Sequence, residues 1–142
     1  MANSGTHIEE IQELRRQITL IHRILDVLRK TLGLQTKLEK LQWEKIAREI
    51  ARKHSIDEDL FVAVLYCESG MDPKAVNRNE NRTTDYGICQ FNDYWYKDII
   101  SPDTALNNPK AALYIMAKMW QDGRQSDWIC YRNKMYIPWL NP

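Results

Sequence analysis

Two carboxyl side chains, Glu68 and Asp85, stand in surroundings of opposite character. Glu68 follows the apolar run Leu60, Phe61, Val64 and Leu65 and precedes Gly70 and Pro73, so it falls in the last turn of a predicted helix. At that end the helix dipole disfavours negative charge. Where the turn also lines a cleft, burial acts in the same direction and raises a carboxyl above its ordinary value of about 4.3. A carboxyl kept protonated in this way can donate to a leaving oxygen. Asp85 lies among Asn77, Asn79, Thr83, Thr84 and Asn92, whose amides and hydroxyls can donate to a carboxylate. A dry carboxyl and one in polar surroundings form the acid and the anion of glycosidic cleavage. Each residue alone has a plainer use, Glu68 on a helix surface and Asp85 as a local cap.

Aromatic residues crowd the second half of the chain: Tyr86, Tyr94, Trp95, Tyr96, Trp128, Tyr131, Tyr136 and Trp139. Sugar rings present apolar C–H faces that stack on such side chains, while their hydroxyls need amide partners such as Asn77, Gln90 and Asn92. Trp95, beside the polar segment, is expected against ligand. Tyr114 and Trp120 are expected in the core.

The elements that must position these residues read as mostly helical. From Ile11 to Leu32 apolar residues recur at Ile11, Leu14, Ile18, Ile21, Leu25, Leu28 and Leu32, a heptad seam, and Gly33 is expected to end that helix. Leu20, Ile24 and Val27 widen the stripe. The helix is therefore open to self-association, as a dimer or more, or to packing on its own domain. The flanking Arg15, Arg16, Arg23, Arg29 and Lys30 read as a solvated face rather than a membrane surface. A second helix is predicted from about Leu38 to Lys53 with Trp43, Ile46, Ala47, Ile50 and Ala51 on one face. Ser55 and Glu58 then have the spacing of a capping box that starts the helix carrying Glu68. The polar segment Asn77 to Asn92, with the turn cluster Asn79-Glu80-Asn81, predicts a small antiparallel sheet. Asn108-Pro109 opens a core helix through Ala112, Leu113, Met116, Met119 and Trp120, and a last short helix is predicted from Ser126-Asp127. The expected class is α+β, mostly helical: an N-terminal amphipathic, coiled-coil-like helix at 1–37, then a catalytic domain at 38–142 with the sheet beside its cleft.

A chain of 142 residues holds one compact domain and an appended segment. A net charge of +1 gives no field that would attract nucleic acid, and no run of 18 apolar residues predicts a membrane span. The opening Met1 to Gly5 lacks the layout of a secretory signal. Cys67, Cys89 and Cys130 show no paired spacing with each other or with His, so neither metal nor cofactor is expected. Three small buried thiols are the first expectation, one internal disulfide the alternative.

The stretch from Glu68 to Asn92, ESGMDPKAVNRNENRTTDYGICQFN, closely resembles the catalytic stretch of animal-type lysozymes, with the Glu and Asp at that family's separation. The flanks, IAREIARKHSIDEDLFVAVLYCESG and ALNNPKAALYIMAKMW, resemble bacterial and phage lytic transglycosylases of the same lysozyme-like fold. The likeness covers about residues 43 to 135. It implies Glu68 as general acid, Asp85 as nucleophile or charge stabiliser, and Trp128 as the tryptophan beside the acid. It further implies that Asn79 and Asn92 steady Asp85, and that Asn77, Gln90, Trp95 and Tyr96 contact sugar. The animal enzymes' disulfide framework has no counterpart, since Tyr96-Lys97 stands where a Trp-Cys would be. Peptidoglycan is the implied substrate, and the periplasm or the cell exterior the implied place of action. Because transglycosylases work with the glutamate and no paired aspartate, Asp85 puts a hydrolase of the β-1,4 bond first. A transglycosylase comes second, and a non-catalytic module that binds glycan or protein third.

Overall fold

The structure is a computed structural model and describes residues 4–140. The chain divides after Glu39 into two compact units. One helix, α1 (Ser4–Lys53), makes up the described part of the first and continues into the second. Gly33 does not end it, and the helix expected from Leu38 is its continuation. A Cβ at Gly33 would meet nothing within 4 Å, so this is an open glycine inside a helix. It costs roughly 1 kcal/mol relative to alanine, which propagation on both sides outweighs.

In the second unit, α1 buries Ala47, Ile50 and Ala51, and α2 (Glu58–Ser69) packs Phe61, Val64 and Leu65 into the same core. The expected capping box is absent. Ser55 takes a left-handed φ of 56°, and Asp57 caps α2 by accepting from the Leu60 amide at 2.9 Å. Glu58 instead receives two hydrogen bonds from Arg52 at 2.8 and 2.9 Å, and that ion pair holds its carboxyl below the usual range. Gly70 closes α2 with a φ of 64°, as expected.

Three short strands, β1 (Val76–Arg78), β2 (Thr84–Tyr86) and β3 (Phe91–Asn92), form an antiparallel sheet in chain order. The register sets Asn77 opposite Asp85 and Asp85 opposite Asn92, so the three lie in one row across the sheet. Gly87, with a φ of 74°, lets the chain leave β2 against another segment: a Cβ there would collide with the Ala105 carbonyl.

Ala105 belongs to α3 (Pro102–Asn107), a helix the sequence did not disclose, because one buried residue in six shows no period. In α4 (Pro109–Gln121), Asn108 caps as expected by accepting from Ala111, and Leu113, Met116 and Trp120 are buried. Tyr114, expected in the core, is exposed with its ring edge against His54. The helix expected from Ser126-Asp127 begins only after Trp128 and is not the last: a single 3-10 turn (Gln125–Asp127) precedes α5 (Ile129–Arg132), and α6 (Ile137–Leu140) follows. Among the described residues no helix is long and apolar enough to cross a membrane, and no group of three or more His, Cys, Asp or Glu could hold a metal ion.

Candidate active site

Glu68 lies in the last turn of α2, where the side chain is mostly but not wholly buried. One carboxylate oxygen, Oε1, accepts from the Cys130 backbone amide at 3.0 Å. Burial is the largest influence on this group and pushes its pKa up to about 7. The charge of Asp85 acts in the same direction, while the Cys130 amide and Arg132 oppose it. The carboxyl is thus an acid that keeps its proton close to neutrality. Asp85 reaches it electrostatically from the facing sheet.

Asp85 is built into the middle strand with both oxygens engaged. Asn79 donates to Oδ2 at 2.9 Å and Asn92 donates to Oδ1 at 2.7 Å. Asn92 is itself fixed, because it also donates to Thr83 at 2.8 Å and accepts from the Tyr94 amide at 3.0 Å. Asn77, Asp85's other register partner, turns its amide to the Gln90 side chain oxygen. Gln90 is buried and donates to the Gly87 carbonyl at 2.8 Å.

The aromatic positions divide into two kinds. Trp95 is 69% exposed and meets Tyr94 edge-on, which leaves an open indole face beside the sheet. Tyr96, expected to touch sugar, and Trp128, expected beside the acid, are buried and stack on each other at 6.0 Å, with Phe91 against both. Burial, followed by the charge of Asp127, raises the Tyr96 phenol to about 12. The Trp128 indole donates to the Cys89 carbonyl at 2.8 Å. That cysteine lies close enough to Glu68 for the carboxylate's charge to add to burial in raising its thiol.

Sequence reasoning missed what holds the acid in place. Cys67 and Cys130 form a disulfide with Cα atoms 6.0 Å apart, and Cys89 alone is a free buried thiol. The expectation of three free cysteines is therefore corrected to the one-disulfide alternative. The bridge links the residue before Glu68 to the residue whose amide binds Glu68. On the other side Ser69 donates to the Ile88 carbonyl at 2.8 Å, tying the same turn to the segment between β2 and β3. The only sign of this in the sequence was a cysteine next to the glutamate.

The arrangement joins a desolvated acid on a helix end, a hydrogen-bonded carboxylate on a facing sheet, and an open tryptophan. Residues 45–130 match the model of the transglycosylase SLT domain, a span that contains Glu68, Asp85 and the sheet. The chain belongs to the transglycosylase SLT domain family. Among curated relatives, the SLT chain is similar to Protein IpgF of Shigella flexneri, with 31% identity over 81 residues, 54% of this chain and 51% of that protein. Protein IpgF of Shigella sonnei matches to the same extent. The SLT chain spans about half the length of the curated relatives it matches.

Proposed function

We propose that the chain cleaves the glycan strands of peptidoglycan as a lytic transglycosylase, at the β-1,4 bond between N-acetylmuramic acid and N-acetylglucosamine. The observation that carries this reading is the Glu68 carboxyl, protonated up to about pH 7 within an SLT domain. Glu68 gives its proton to the bridging oxygen as the glycosidic bond breaks. The resulting carboxylate then takes the proton from the muramic C6 hydroxyl as that oxygen bonds to C1. One residue acts first as acid and then as base, and the product is a 1,6-anhydro ring with no water consumed. Trp95 and Asn77 suit the glycan wall of the site. Gln90, Tyr96 and Trp128 act by keeping its shape, and Asn79 and Asn92 by holding Asp85.

The sequence alone ranked a hydrolase first; membership of the SLT family favours the transglycosylase. Asp85 supports the hydrolase as a second reading, because a retaining hydrolase needs a carboxylate beside the sugar cation and this one is already hydrogen-bonded in place. Mass spectrometry of products from purified wall decides between them. Anhydro ends, with Asp85→Asn slowed by less than about tenfold, are expected. Reducing ends together with an Asp85→Asn loss of 100-fold or more would establish the hydrolase, since removing a transition-state charge has that cost. No cleavage at all would leave a glycan-binding module. We further propose that α1 mediates self-association, on the strength of its exposed heptad seam.

A further inference from the structure

Every member of the seam Ile11, Leu14, Ile18, Ile21, Leu25, Leu28 and Leu32 is exposed, and even the least open, Leu25, is 41% exposed. A second strip follows the same alternation of threes and fours: Leu20, Ile24, Val27, Leu34, Leu38 and Leu41, all exposed. Thr31 occupies its one polar place and turns its hydroxyl back to the Val27 carbonyl at 2.9 Å. At 3.6 residues per turn the midlines of the two strips lie roughly 110° apart around the helix. A shallow hollow lined by Arg23, Ile24, Val27 and Leu28 joins the second strip to the first seam at Leu28. A contiguous apolar face of this extent marks an interaction site. A two-stranded coiled coil covers one seam and would leave the other strip in water.

Resting on the self-association proposed above, we infer that α1 forms a parallel bundle of more than two copies of this chain, in which the first seams face one another and the second strip widens the surface that each helix buries. Charge selects the direction. Glu10 and Gln17 flank the first seam on one side, and Arg15, His22 and Arg29 on the other. In a parallel, in-register pair the flanking residue Glu10 meets the residue five places on in its neighbour, which is Arg15. In an antiparallel pair, Arg15, His22 and Arg29 run along the same basic residues of the neighbour, and like charges oppose the contact. Glu10 is exposed beside His7, and Arg15 makes no ion pair among the described residues, so both can reach a second chain. Copies joined in this way act on a polymer that repeats its scissile bond, where linkage raises effective concentration.

Sedimentation equilibrium of the full chain is expected to give a mass of three or more copies. A dimer would overturn the two-strip bundle while leaving self-association standing, and a monomer would overturn both. Lysine is a good helix former, so Leu20→Lys with Leu34→Lys, at strip positions that do not flank the first seam, should keep the helix, disable the second strip and reduce the assembly to a dimer. An undiminished mass in that variant would overturn the role of the strip. Leu14→Cys, on the first seam, is expected to crosslink to its equivalent on oxidation, and failure to crosslink would overturn the parallel direction.

Discussion

A helix end that is dry on one side and bonded on the other gives Glu68 two properties that can be measured apart. Its proton is held up to about pH 7, against 4.5 for the free side chain. If it is the acid, kcat/KM is expected to hold below pH 7 and to fall tenfold per pH unit above it, which a pH profile on soluble glycan checks. Linkage fixes the sign for stability. The folded state binds this proton more tightly than the unfolded chain does, so its contribution is whole below about 4.5 and is lost as pH rises to about 7. Glu68→Gln should therefore abolish cleavage and yet be the more stable protein at pH 8. The gain is on the order of 3 kcal/mol, since each tenfold tightening of the proton's hold is worth about 1.4 kcal/mol, and it should vanish at pH 4. Urea denaturation at the two values tests this, and equal stability at pH 8 would show that Glu68 is not desolvated. The place of Glu68 at a helix end and of Asp85 on a strand was legible because a helix stop and an asparagine-rich segment are local signals. The inward turn of Tyr96 was not, since the side of a short turn on which a ring falls is decided by Phe91 and Trp128, which the sequence places at different distances along the chain.

Elements bring the acid to its partner, and here a covalent tie reinforces the packing. The Cys67–Cys130 bridge closes a span of 63 residues that includes the whole sheet and α4. Loop entropy for that span corresponds to about 4 kcal/mol. The double variant Cys67→Ser with Cys130→Ser is expected to lose stability of that order in denaturant titration. It should also move the fall in activity to higher pH, because the Cys130 amide is the contact that favours the ionised form of Glu68. A fall that moves to lower pH would instead mean that water had entered the turn. No local pattern announces a bridge across 63 residues, so the sequence left it as one alternative. The same distinction explains the helix boundaries. Asn108 and Gly70 mark their ends because the conformation at each is decided by neighbours one to four residues away. Ser55 imitates a cap but is carried into a left-handed turn between two packed helices, and Gly33 imitates a stop within a helix long enough to continue past it.

At the scale of the molecule, the two units depend on different interactions. The members of α1 in the core around Phe61, Leu65, Met116 and Trp128 run from Trp43 onward. A chain beginning at Lys40 is therefore expected to melt within about 2 °C of the full protein's catalytic transition, because among the described residues before Lys40 every side chain is exposed. On soluble glycan oligomers its kcat/KM should stay within about threefold of the full chain. On insoluble wall it should fall by tenfold or more, since a single unit dissociates where joined units would rebind, and avidity of this kind is typically 10²–10⁴. Equal activity of the two chains on insoluble wall would show that assembly gives catalysis nothing. A loss of equal size on both substrates would show instead that α1 before Lys40 supports the catalytic unit directly. The comparison thus separates a device for holding polymer from a piece of the enzyme's own frame.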